Sequence, residues 1–158
     1  MSDTIIRHVV VPGTFDPVTL GHLDVIARTR RMFSQVTIGV AASLTKNGSG
    51  PHFSLEERTQ MLRESIVELR IDKGVEIRPF SGLLMDLCRT IGADGVVKGL
   101  RAMTDFEYEL QQADLNYRLA PEVESIFVMG SPRHGYISSS IVRELALMGG
   151  DVSFLVPA

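Results

Sequence analysis

Residues 9–22 read VVVPGTFDPVTLGH, an apolar run followed by a turn and by the pair Gly21-His22. The pattern predicts a buried β-strand that ends near Pro12-Gly13, followed by a helix that begins near Gly21. A glycine at a strand end lets the backbone approach a ligand closely, and the first amides of a helix attract an anion. His22 would then face that anion from the first helical turn. Taken alone, Gly13 could equally form a tight turn, and His22 could equally be a surface histidine.

The apolar run before this turn is the first of five that alternate with helical segments. Each is nearly all apolar, as strands covered by helices on both faces should be. A hydroxyl residue followed three positions later by Glu, a capping box, predicts helix starts at Ser54 and Thr104. The order strand, helix, strand predicts an α/β fold, a doubly wound parallel sheet in a single domain over residues 1–158. The five runs are Ile5–Pro12, Val36–Ser43, Val75–Phe80, Gly95–Gly99 and Ser125–Gly130.

Composition narrows the classes of protein to consider. The chain has 158 residues, a formal net charge of -3 and 44% hydrophobic residues, which matches a soluble globular domain. The chain has no clustered excess of basic residues, so we expect no nucleic-acid surface. Its apolar runs fall far short of the roughly 20 residues of a membrane span, so we expect no membrane-spanning segment. The N-terminus has no secretory signal pattern, so we expect a cytoplasmic protein. Cys88 is the single cysteine, which excludes an internal disulfide, and it is predicted to be a buried core thiol.

Two further segments suited to phosphate binding follow predicted strands. Lys98-Gly99-Leu100-Arg101 comes at the end of the fourth strand and combines two cations with a glycine. Ser138-Ser139-Ser140 comes after the fifth strand and its loop, and it places three hydroxyls at a helix start. A solvated turn would explain the first segment, and a plain N-cap needs only one of the serines. Because the carboxyl ends of parallel strands lie at one edge of a sheet, the three elements together predict one nucleotide site.

These motifs resemble a known family. The sequences GTFDP at 13–17 and TLGH at 19–22 resemble the T/HxGH signature of the nucleotidylyltransferase superfamily, and ISSS at 137–140 resembles its second signature. KGLRA at 98–102 and DFEYE at 105–109 narrow the resemblance to the bacterial phosphopantetheine adenylyltransferase family, over most of the chain. The resemblance implies a Rossmann-like fold. It also implies reversible transfer of the adenylyl group from ATP to 4'-phosphopantetheine, giving dephospho-coenzyme A and pyrophosphate in coenzyme A synthesis.

The resemblance also implies which residues act. His22 would stabilise the transition state together with Lys46, and Thr14, Lys46, Leu84 and Lys98 would contact the acceptor. Two residues of the implied site depart from the family pattern. Lys98 stands where arginine is usual, and His134, an implied ATP contact, stands where an aromatic residue is common. The implied ATP contacts are Thr14, Phe15, His22, Gly99, Leu100, Arg101, Glu109, His134, Gly135, Tyr136, Ile137, Ser138, Ser139 and Ser140. Mg²⁺ is implied as cofactor without assigned protein ligands, coenzyme A as a feedback ligand, and a homohexamer as the assembly.

The implied chemistry explains why the motifs supply cations and hydroxyls. The acceptor is a phosphate monoester whose second pKa is about 6, so near neutral pH it is mostly dianionic and needs no protein base. It would attack the α-phosphorus of ATP in line, while His22 and Lys46 meet the developing charge. Two alternatives share parts of the pattern. One is a cytidylyltransferase that acts on glycerol phosphate, and the other is a non-catalytic nucleotide-binding module, which would have no use for His22 or Lys46.

Overall fold

The structure is a computed structural model and describes residues 5–42, 51–101 and 106–158. Its five strands are β1 (His8–Gly13), β2 (Gln35–Ala41), β3 (Val75–Phe80), β4 (Gly95–Leu100) and β5 (Glu124–Met129). They form one sheet in the order β3-β2-β1-β4-β5, and every pair of neighbours is parallel. The predicted parallel α/β architecture is therefore confirmed, with β1 beginning later than predicted and β2 ending earlier.

Five helices connect or follow the strands: α1 (Leu20–Met32), α2 (Leu55–Glu68), α3 (Leu84–Ile91), α4 (Phe106–Leu119) and α5 (Ser139–Leu147). The capping box predicted at Ser54 is confirmed. The Ser54 hydroxyl accepts the amide of Glu57 at 3.0 Å, and the Glu57 carboxylate accepts the amide of Ser54 at 3.0 Å. The capping box predicted at Thr104 lies outside the described residues. Within the described part of the chain, none of the helices is both long and apolar enough to cross a membrane.

The central strands are covered on both faces. Val9 and Val11 of β1 point into a cluster with the buried side chains of α1 and α2, whereas Val10 points into a cluster with α3. This alternation follows from the period of two along a strand. Cys88 is fully buried in the second cluster, and burial raises the pKa of its thiol to about 11, so it is a core thiol as predicted.

The edge strand β3 does not fit the prediction that each strand is nearly apolar on both faces. Its residues alternate, with Val75 and Ile77 packed on the core while Glu76 and Arg78 are exposed. The strand has a neighbour on one side only, and its outer face is open to water, so polar side chains are tolerated there.

The strand order creates a crevice at one edge of the sheet. The chain moves from β1 to β2 and β3 on one side, and then returns to place β4 and β5 on the other side of β1. The connections that follow β1 and β4 therefore diverge at the carboxyl ends of these two strands. In doubly wound folds this switch point is where ligands bind.

Candidate active site

A cleft of about 680 Å³ opens at this switch point. It is lined by the turn after β1, the start of α1, the end of β4 and the segment that leads into α5. The three elements that the sequence predicts to bind phosphate therefore meet in one cavity. The predicted site residues that line it are Thr14, Phe15, His22, Lys98, Gly99, Leu100, Arg101, Glu109, His134, Ile137, Ser138, Ser139 and Ser140.

Among the described residues, three predicted site residues do not line the cleft. Gly135 and Tyr136 follow a short 3₁₀ turn at Pro132–His134 and are not part of the cleft lining, and Tyr136 is 56% exposed. Leu84 begins α3 and packs, partly buried, against the second core cluster. Lys46 lies outside the described residues. Ligand contacts by these four residues, and by the predicted residues that do line the cleft, stay predictions.

His22 is positioned by the start of α1. Thr19 is the N-cap, and its hydroxyl accepts the amide of His22 at 3.2 Å. In return, Nδ1 of His22 accepts the amide of Thr19 at 3.0 Å, so the histidine completes a capping box in the place that Glu or Gln usually holds. The amide can only donate, and Nδ1 must therefore be the unprotonated nitrogen. In the neutral ring the proton is then on Nε2, which is left as a hydrogen-bond donor.

The His22 imidazole is neutral at physiological pH. Burial of the ring, and secondarily the charge of Arg101, lower the pKa of His22 from 6.5 to about 4. His22 can offer a neutral Nε2–H donor, while the cleft lining also contains the cations Lys98, Arg101 and Arg143.

Phe15 is the aromatic neighbour of His22. Its ring packs edge-on against the imidazole, with 4.9 Å between ring centroids, and only 2% of Phe15 is exposed. The turn that places the ring is strained, because Phe15 adopts a positive φ of 53°. Gly13 makes room for it, since a Cβ at Gly13 would lie 3.0 Å from the Phe15 ring. The sequence predicted that Gly13 allows a ligand to approach the backbone closely. The structure shows in addition that Gly13 leaves room for the Phe15 ring.

Lys98 of β4 lines the cleft and forms an ion pair there. Nζ of Lys98 lies 3.1 Å from a carboxylate oxygen of Glu109, so the side chains predicted for acceptor and ATP contact form one ion pair. The next residue, Gly99, must lack a side chain because of helix packing and not because of a ligand. A Cβ there would come within 2.5 Å of Val25, which means that α1 packs directly on the backbone of β4.

The three serines of the second signature have different hydrogen-bonding roles. Ser138 caps α5, and its oxygen accepts the amide of Ile141 at 3.2 Å. Ser139 donates its hydroxyl proton to the carbonyl of Pro17 at 2.8 Å, which joins the two signature segments. Ser140 accepts from Arg143 at 3.4 Å. Ser138 and Ser140 therefore keep a proton for a ligand, whereas the proton of Ser139 is already engaged.

Sequence reasoning missed two carboxylates of the cleft and one buried arginine. Asp16 accepts the amides of His52 and Phe53 at 2.7 and 2.8 Å. Asp24, on α1, accepts the amide of Ser131 at 2.9 Å and pairs with Arg28 at 3.2 Å. The missed arginine is Arg58 of α2. Asp16 belongs to the GTFDP motif and could have been singled out. The contact of Asp24 with Ser131, and those of Arg58 with Thr14 and Ala41, join residues that are distant in sequence and left no local signal.

The described residues do not form a metal cage. Among them there is no group of three or more His, Cys, Asp or Glu side chains that could hold an ion. The cleft carboxylates of Asp16, Asp24 and Glu109 are already bonded to amides or cations. Magnesium is usually bound through few protein oxygens, with phosphates and water as its other ligands. These residues thus fit an ion that enters bound to a nucleotide better than one held by the protein.

The chain is similar to known nucleotidyltransferases over most of its length. The cytidylyltransferase-like family model matches residues 10–145. The phosphopantetheine adenylyltransferase of Caulobacter vibrioides is 47% identical over 146 residues, which cover 92% of this chain and 88% of that protein. The enzyme of the same name from Rhodospirillum rubrum is 46% identical over 153 residues, covering 96% of this chain and 87% of that one.

Solved structures show the same fold at low identity. A bifunctional NMN adenylyltransferase/ADP ribose pyrophosphatase from Francisella tularensis superposes with a TM-score of 0.70 at 19% identity, over 94% of this chain and 44% of that one. A lipopolysaccharide core biosynthesis protein from Thermoplasma volcanium has a TM-score of 0.54 at 21% identity, over 80% of this chain and 97% of that one. With its fold, its signatures and its close relatives in agreement, the chain belongs to the phosphopantetheine adenylyltransferase family of nucleotidyltransferases.

Proposed function

We propose that the protein transfers the adenylyl group of ATP to 4'-phosphopantetheine, reversibly, and releases dephospho-coenzyme A and pyrophosphate. The observation that carries the proposal is the cleft itself. His22, with a neutral Nε2–H, lines the same cavity as Lys98, Arg101 and the serine hydroxyls, and the cleft carboxylates of the described residues are all engaged. Such a site can neutralise phosphates and stabilise their transition state, and it offers no carboxylate as a general base.

The reaction needs no base because the acceptor is the nucleophile. Its phosphate, with a second pKa of about 6, is mostly dianionic at neutral pH. One of its oxygens forms a bond to the α-phosphorus of ATP, and the bond from that phosphorus to the bridging oxygen of the β-phosphate breaks in line. The electron pair leaves with pyrophosphate. His22 donates Nε2–H to an oxygen of the α-phosphoryl group as charge builds up there, and Lys98 and Arg101 neutralise the phosphates.

Two further parts of the reaction are proposals from the family resemblance. Lys46 would add a cation next to the reacting phosphates. Mg²⁺ would enter bound to ATP and supply charge neutralisation for the pyrophosphate, in keeping with the absence of a carboxylate cage among the described residues. Beyond the reaction itself, coenzyme A would act as a feedback ligand. We also propose that the protein works in the cytoplasm.

Pyrophosphate release tests the reaction directly. We expect release with ATP and 4'-phosphopantetheine, and none with CTP and glycerol phosphate. A cytidylyltransferase would show the opposite preference, whereas a non-catalytic module would bind ATP without releasing pyrophosphate in either mixture.

Pantetheine without its phosphate is the matched control acceptor. We expect that it binds but does not react, because it lacks the attacking group. Pyrophosphate release with pantetheine would contradict direct attack by the phosphate, since a hydroxyl acceptor would require a general base.

We further propose that the protein assembles through α4. None of the residues of this helix is buried, although it carries large apolar side chains with exposures from 44% to 65%. Apolar surface of this extent on one element is typical of a protein interface. The exposed fractions support association of several copies, and the number six comes from the family resemblance alone. The exposed apolar side chains are Phe106, Tyr108, Leu110, Leu115, Tyr117 and Leu119.

A further inference from the structure

Arg58 is a buried charge just outside the cleft. It lies in the first turn of α2, only 2% of it is exposed, and it is not part of the cleft lining. A side chain with so little surface cannot contact the substrates directly. Burying a guanidinium is costly unless its donors are hydrogen-bonded. The partners of Arg58 therefore indicate what the charge is used for.

The guanidinium binds three backbone carbonyls from three separate segments. Nη1 donates to the carbonyl of Thr14 at 2.8 Å and to that of Ala41 at 2.8 Å, and Nε donates to the carbonyl of Phe53 at 3.1 Å. Thr14 lies in the turn after β1, Ala41 is the last residue of β2, and Phe53 immediately precedes the N-cap of α2. One side chain thus joins the carboxyl ends of two neighbouring strands to the helix that carries it.

Asp16 also holds this turn in place, but as an acceptor of backbone amides, whereas Arg58 donates to backbone carbonyls. Its carboxylate, with 5% of the residue exposed, accepts the amides of His52 and Phe53. The segment before α2 is therefore bound to the β1 turn twice, through a carbonyl by Arg58 and through two amides by Asp16. Between Thr14 and Asp16 lies Phe15, whose positive φ costs free energy that the surrounding contacts must offset.

We propose that Arg58 is a positioning residue for adenylyl transfer. It holds the carbonyl of Thr14 next to the end of β2 and so stabilises the strained turn that packs Phe15 against His22. In this way it sets where Nε2–H of His22 meets the α-phosphoryl group. The proposal rests on the proposed function, in which His22 acts on the transition state.

Arg58→Lys, compared with Arg30→Lys, tests the proposal. Lysine keeps the charge but cannot reach three carbonyls in the fixed geometry of guanidinium. Arg30 is the matched control because it also donates to backbone carbonyls, those of Phe33 at 3.2 Å and Lys73 at 2.6 Å, at the opposite edge of the sheet. We expect Arg58→Lys to lower kcat about 10-fold or more with KM for ATP changed less than about threefold, and Arg30→Lys to keep kcat near the wild-type value.

A second readout does not depend on turnover. In ligand-free protein labelled with ¹⁵N, the Nε2 resonance of His22 should shift in Arg58→Lys and stay in place in Arg30→Lys. If the wild type releases no pyrophosphate, the proposed function fails, yet this spectrum still reports whether Arg58 positions His22. An unchanged kcat and spectrum would overturn the proposal. So would equal effects of both variants, or an Arg58→Lys protein that does not fold, because Arg58 would then serve stability alone.

Discussion

His22 uses its two ring nitrogens for different purposes. Nδ1 caps α1 by accepting the amide of Thr19, which leaves Nε2–H directed to other partners. Glutamine is a usual capping-box residue at this position, so it can replace the first function without reproducing the imidazole donor. The two functions can therefore be separated by substitution.

We expect both His22→Gln and His22→Ala to lower kcat by roughly two to three powers of ten, with little change in ATP affinity. His22→Ala should also lose about 1 kcal/mol of stability relative to His22→Gln, because the amide of Thr19 is left without its acceptor. Steady-state kinetics, calorimetric ATP titration and urea denaturation measure the three quantities. Normal turnover in folded His22→Gln would remove the imidazole from the mechanism.

The lowered pKa of His22 predicts a pH-dependent stability. Between pH 6.5 and about 4 the unfolded chain binds a proton at this histidine that the folded chain does not. Stability should therefore decrease as the pH falls through this range. In urea denaturation across that range, His22→Gln should lose less stability on acidification than the wild type. Equal losses would mean that His22 titrates normally in the folded protein.

Lys98 stands where the family usually has arginine, and the structure pairs it with Glu109. Lys98→Ala removes a charged hydrogen bond, on the order of 1.5–3 kcal/mol, and should raise KM for 4'-phosphopantetheine about 10-fold or more. The effect on KM for ATP should be smaller, and Lys98→Arg should retain activity. Equal losses for both substrates, or none, would show that Lys98 does not select the acceptor.

At the scale of elements, α1 is bound to the loop after β5 by one carboxylate. Asp24 accepts the amide of Ser131, which begins the segment containing His134. This link orders a wall of the cleft on which the sequence predicts ATP contacts. Arg28, the other partner of Asp24, lies one helical turn away and serves as a control.

We expect Asp24→Ala to raise KM for ATP about 10-fold, the size of one hydrogen bond to a charged group, with kcat nearly unchanged. Asp24→Asn keeps an oxygen acceptor and should stay within about threefold of the wild type. Arg28→Ala leaves the bond to Ser131 intact and should behave like the wild type. If Asp24→Asn is as defective as Asp24→Ala, the charge of Asp24 matters, and the link to Ser131 does not explain the effect.

At the scale of the whole molecule, the apolar side chains exposed on α4 predict self-association. A double variant with Leu115→Asp and Tyr117→Asp places charges at positions with exposures of 50% and 65%, on opposite sides of the helix. Light scattering should show a smaller particle than for the wild type, because a charge on either side of α4 opposes burial of that side in an interface. Val67→Asp, at a 56% exposed position on α2, is the control and should keep the wild-type mass. A monomeric wild type would contradict the proposed assembly.

Much of the fold followed from local chemistry in the sequence. The alternation of apolar runs with capped helices predicted the parallel sheet, because strand period and helix capping depend on residues close together in the chain. The segments around His22 and Ser138 were predicted to meet in one site for the same reason, since each is a helix start that follows a strand, whereas most individual ligand contacts came from the family resemblance. The sequence also identified Cys88 as a core thiol, because a free cysteine is usually buried.

The tertiary structure decided what depends on distant partners. Strand order, and with it the switch point between β1 and β4, is set by crossovers that periodicity does not encode. The lowered pKa of His22 comes from burial and from Arg101, and the roles of Asp24 and Arg58 come from contacts far along the chain. Local pattern therefore determined which residues could bind phosphate, whereas packing decided which of them meet, in which protonation state, and what holds them there.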